Sequence, residues 1–88
     1  MSDPFGDEQI EYPVEVHFRI IAEAREEVSA AVRSVAALRG LESRLRPGNQ
    51  SAGGRYQTWN LSVRVNSGEE LREIDAGFRS VPGVKMVL

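Results

Sequence analysis

The chain has 88 residues and a mass of 9.8 kDa, room for one small domain. It contains no cysteine and a single histidine, His17, which excludes disulfides, thiolate metal sites, cysteine nucleophiles and any two-histidine metal motif. The longest unbroken apolar run, Val35 to Leu38, is too short for a membrane span or a signal-peptide core.

The formal net charge is -2, from 13 acids and 11 bases. Asp3, Asp7, Glu8 and Glu11 crowd the first twelve residues, which hold no base, so the remainder is mildly basic. Five arginines lie between Arg39 and Arg64 against one acid, Glu42. Such a stripe attracts anions, but the total charge is not that of a dedicated nucleic-acid binder.

Residues 1–12, polar and acidic with Pro4 and Gly6, read as a flexible tail, and residues 13–88 as a single domain. Phe5, Ile10 and Tyr12 offer it apolar anchors. Val14, Val16, Phe18 and Ile20 alternate with Glu15, His17 and Arg19, the period of a half-buried strand. Between Ala24 and Arg39, Val28, Ala31, Val32, Val35 and Leu38 recur at helical spacing, and Gly40 stands where a left-handed residue closes a helix. Leu41 to Arg46 reads as a short charged strand ended by Pro47, and its charges suit a sheet edge. Residues 47–54, rich in Gly, Asn, Gln and Ser, read as a long loop.

Trp59, Leu61, Val63 and Val65 then form the clearest alternating strand, with the indole in phase with the core. Ser67 and Glu70 make a capping box for a second helix, whose buried stripe is Leu71, Ile74 and Phe78. Gly77 inside it hints at close packing. Pro82-Gly83 turns the chain into a last strand, Val84 to Leu88.

The order strand, helix, strand, strand, helix, strand predicts an α+β, ferredoxin-like βαββαβ sandwich. Right-handed crossovers give a four-stranded antiparallel sheet of order 4-1-3-2 with both helices on one face. The other face is expected to present Glu15, His17, Arg19, Arg44, Arg46, Tyr56, Thr58, Asn60, Ser62, Arg64, Lys85 and Val87.

Three local patterns carry a family resemblance: Tyr12-Pro13 leading into the first strand, Ser51-x-x-Gly54-x-Tyr56 before the third, and the closing Val84-Lys85-Met86-Val87-Leu88. In this order and spacing the chain resembles the YbeD-like family of small bacterial proteins of unknown function, over roughly residues 12 to 88. It departs from the family's pattern at Ala22, often Gly, and near Asp75, often aromatic. The resemblance implies a ferredoxin-like fold related to ACT regulatory domains, which bind small effectors such as amino acids, and a bacterial, cytoplasmic setting. It brings no catalytic residues.

The expected function is therefore a non-enzymatic regulatory or adaptor module that needs no cofactor and binds a small effector or a protein, a second copy of itself included. No membrane partner is expected. The candidate contacts are Ser51, Gly54, Arg55 and Tyr56 in the glycine-rich loop, Arg44 and Arg46 as a paired anion contact, and His17 on the polar face. An RNA-binding module using the open sheet and the arginine stripe is the alternative, weakened because that sheet offers one stacking aromatic, Tyr56. An acylphosphatase-like enzyme ranks lower: Arg25 and Asn60 suit that chemistry, but the connection Ile21-Ala22-Glu23-Ala24 lacks a glycine cradle and carries a repelling carboxylate.

Overall fold

The computed structural model describes residues 11–88. Strand β1 spans Val14–Glu23, helix α1 Glu26–Leu38, β2 Leu45–Gln50, β3 Tyr56–Val65, helix α2 Gly68–Arg79 and β4 Val84–Val87. The strands form one antiparallel sheet of order β2-β3-β1-β4, the order expected from the sequence read from the opposite edge. The two alternating strands lie side by side at the centre, with Val14 opposite Val65 and Ile20 opposite Trp59.

One face of the sheet and the inner stripes of both helices build the core. Phe18, Ile20 and Ala22 from β1 meet Trp59, Leu61, Val63 and Val65 from β3, covered by Val28, Val32 and Ala36 and by Leu71, Ile74 and Phe78. Burial of these apolar surfaces is the main favourable term in folding. Gly77 faces α1, and a Cβ there would lie 3.4 Å from Val35 Cγ1, at van der Waals contact. The capping box forms, with Glu70 N–H donating to Ser67 Oγ at 3.1 Å, while the Glu70 carboxylate accepts from Asn66 N–H at 2.7 Å, one residue further back than the standard box.

The structure differs from the sequence reading in four places. Leu38, assigned to the buried stripe, is 87% exposed. It lies about 120° round the helix from Val32, and Ala36 takes the inner position instead. Leu41 to Arg46 is not one strand. Glu42–Arg44 is a 3-10 turn, and β2 starts at Leu45 and runs through Pro47 to Gln50. Pro47 does not end it, because an edge strand has one side on which the missing N–H is not needed.

The long loop expected over 47–54 therefore contracts to the turn that follows Gln50. Lastly, Val87 is buried in the core and Met86 takes its place on the open face. Val84 and Met86 pair with the consecutive residues Ala22 and Ile21, so Lys85 is the extra residue of a β-bulge and the alternation slips there. Of the residues assigned to the acidic tail, 1–10 lie outside the described residues. Tyr12 packs against the core, and Glu11 is exposed.

Candidate functional site

The turn between β2 and β3 is built by the Ser51-x-x-Gly54-x-Tyr56 pattern itself. Ser51 N–H donates to Tyr56 O at 3.0 Å, Tyr56 N–H returns a bond to Ser51 Oγ at 3.0 Å, and Gly54 N–H donates to Ser51 O at 2.9 Å. Gly53 and Gly54 adopt φ of 85° and 74°, the left-handed region that side chains resist. Ser51 thus closes the hairpin with both its backbone and its hydroxyl oxygen.

The hairpin end then docks on the β1–α1 connection, where Ala24 N–H donates to Arg55 O at 2.9 Å. An open cleft of about 400 Å³ results, lined by Glu23, Ala24 and Arg25 from one side and Gly54, Arg55 and Tyr56 from the other. Arg25 is held between two carboxylates, Glu23 at 3.4 Å and Glu27 at 2.8 Å. A backbone hydrogen bond at Glu27, followed by the charge of Arg25, keeps the Glu27 carboxyl below its ordinary pKa. Arg55 is exposed and makes no side-chain hydrogen bond or ion pair among the described residues. Tyr56 is half-buried and stands opposite Glu23 on the open face of the sheet.

The structure brings Ser51, Gly54, Arg55 and Tyr56 together in one turn and leaves His17, Arg44 and Arg46 elsewhere. His17 lies six residues along β1 from Glu23, about 20 Å away at strand rise. Its Nδ1 is 2.6 Å from Ser62 Oγ, a cross-strand pair on the open face. Arg44 sits in the 3-10 turn, off the sheet, so it does not share a strand with Arg46. The Arg46 guanidinium donates to the carbonyl of Ser43. Sequence reasoning missed Glu23 and Arg25 as neighbours of the glycine turn. The alternating Glu23-Ala24-Arg25-Glu26-Glu27 run was the available signal, but the contact depends on a hairpin whose length only the extension of β2 sets.

Among the described residues no helix is long and apolar enough to cross a membrane, and no three His, Asp or Glu side chains cluster as metal ligands.

Residues 7–88 match the family model described as protein of unknown function, DUF493. The chain belongs to this family. It is similar in fold to HP0495 from Helicobacter pylori, whose two solution structures match it. One has a TM-score of 0.73 at 21% identity, covering 90% of this chain and 85% of that one. The other has a TM-score of 0.58 at 19% identity, covering 88% and 87%. No curated protein matches the chain. Membership in the DUF493 family is compatible with the resemblance to YbeD-like proteins and, like it, assigns no activity.

Proposed function

We propose that this DUF493 protein is a non-enzymatic, ACT-like regulatory module of the YbeD-like kind, cytoplasmic, whose hairpin-end cleft takes a small zwitterionic effector of the amino-acid class. The observation that carries the reading is the presence of both charge signs on one cleft: the unpaired Arg55 guanidinium across from the Glu23 carboxylate. A guanidinium fork matches an α-carboxylate, and a carboxylate matches an α-ammonium. The half-buried Tyr56 ring supplies a wall for a side chain. The RNA-binding alternative has less support. Tyr56 is the single aromatic on the open face among the described residues, where stacking platforms use two or three.

The test is a thermal-shift and calorimetric screen of amino acids, octanoate and lipoate. An effector present at 100 times its dissociation constant adds about 2.7 kcal/mol to folding stability. Binding of at least one amino acid, lost in Arg55→Ala with the melting temperature of the free protein unchanged, supports the proposal. If octanoate binds as tightly as the amino acids, or if nothing binds, the zwitterion assignment fails.

A further inference from the structure

We propose that the open face of the sheet carries a second site, built on Arg19 and Asn60, for the phosphoryl group of a small phosphate ester. The two residues are direct cross-strand partners on the central strands β1 and β3, so their backbones are held on both sides by the sheet. They form a shared wall between two concavities. One, of about 420 Å³, is completed by Ile21, Gly48, Asn49 and Thr58. The other, of about 260 Å³, is completed by His17, Phe18 and Leu88.

The polar groups in this place are unspent. The side chains of Arg19, Asn49, Thr58 and Asn60 have no hydrogen-bond or ion-pair partner among the described residues. By contrast, Arg25 is paired with Glu27, Arg33 with Glu26, Arg39 with Glu73 and Arg79 with Asp75. His17 spends its Nδ1 on Ser62 and keeps Nε2 for a further contact.

The charge selects an anion. No carboxylate lines the larger concavity, in contrast to the hairpin-end cleft, where Glu23 stands beside Arg25. The donor set selects a phosphoryl group over a carboxylate. A carboxylate is satisfied by one guanidinium fork, whereas here two amides and a hydroxyl surround the fork, enough donors for three terminal oxygens. Room for that group depends on Gly48. A Cβ at this position would lie 2.8 Å from Asn60 Nδ2 and 3.5 Å from Thr58 Cβ, filling the floor of the larger concavity. The row also favours a small ester over a nucleic-acid strand. Glu15 and Glu23 stand on the same face of β1 on either side of Arg19, where they repel a longer polyanion.

The experiment follows backbone amide shifts of the full chain by NMR during titration at constant ionic strength. The probes are inorganic phosphate, ribose 5-phosphate, acetate and a single-stranded oligonucleotide. The site predicts saturable shifts at Arg19, Thr58 and Asn60 with both phosphates and weaker ones with acetate. Arg19→Gln weakens phosphate binding by about tenfold or more, the loss of one charge-assisted contact, and Gly48→Ala weakens it by about as much because its methyl group fills the concavity. Both positions are exposed, and unchanged melting curves confirm that the fold persists. Arg55→Ala leaves this binding intact, which separates the site from the hairpin-end cleft. Acetate binding equal to phosphate, phosphate binding indifferent to both substitutions, absence of saturation, or tighter binding of the oligonucleotide each overturns the proposal.

Discussion

Trp59 shows how much one side chain can carry in a domain this small. The indole is 7% exposed and lies in the core between β3 and α1, with the Arg33 guanidinium 5.9 Å from the ring centroid. Its backbone neighbours are Ile20 on one side and Pro47 on the other, so it also anchors the edge strand. Truncation in Trp59→Ala removes that packing and leaves a cavity that the sheet cannot close. The expected loss is about 3–5 kcal/mol, read as a fall in the denaturation midpoint with a nearly unchanged slope.

Gly83 is constrained in another way. It holds φ at 96°, and a Cβ built on it would fall 2.7 Å from Val28 Cγ2. The Gly83 carbonyl accepts from Glu23 N–H at 2.9 Å, so the backbone cannot retreat without breaking the ladder. Gly83→Ala is therefore expected to destabilise by more than the roughly 1 kcal/mol of an ordinary left-handed glycine, because overpacking adds to backbone strain. A melting temperature equal to that of the unsubstituted protein would refute this account.

At the scale of elements, β4 is short but holds the sheet's end together. Val87 is 3% exposed in the core. Leu88 exchanges both backbone bonds with Arg19, at 2.8 and 3.1 Å, and Arg79 reaches from α2 to the Val87 carbonyl at 2.8 Å. Removing Met86 to Leu88 strips all three contributions at once. The truncated chain is expected to lose cooperative unfolding at 37 °C by circular dichroism, since the combined loss is several kcal/mol against a small domain's reserve.

The same strand marks the limit of what the sequence discloses. The central strands and α2 were legible because Val14 to Ile20, Trp59 to Val65 and Leu71 to Phe78 repeat one period without interruption, so burial and pattern agree. The phase of β4 was not, because the bulge at Lys85 is a property of how Val84 and Met86 pair with β1 and leaves no local mark. In β2 a proline that ordinarily stops a strand was neutralised by its place at the edge. The candidate site divided along the same line. Gly54, Arg55 and Tyr56 were visible as turn chemistry, whereas Glu23 and Arg25 join them only through the long-range bond from Ala24 to Arg55.

For the molecule as a whole, an open four-stranded sheet leaves two edges on which another chain can add, and each is obstructed by a different device. On β2, Pro47 supplies no N–H. On β4, Leu88 turns its backbone groups to Arg19, so by alternation the Val87 carbonyl faces outward, where the Arg79 guanidinium takes it. Asp75 holds that guanidinium in place at 2.8 Å, one turn back along α2. An acceptor already engaged by a charged donor is a poor template for a further strand, and a bulky cation at the edge repels a second copy carrying the same group. Arg79→Met keeps the length and apolar stem of the side chain while freeing the carbonyl. The variant is expected to self-associate more strongly than the unsubstituted protein in sedimentation runs over a range of concentrations, with a monomer signal recovered at low concentration. Arg79→Lys, which retains a cationic donor, should behave as the original. If Arg79→Met and the unsubstituted protein associate equally, the guanidinium does not guard the edge, and any pairing between copies must use a surface other than β4.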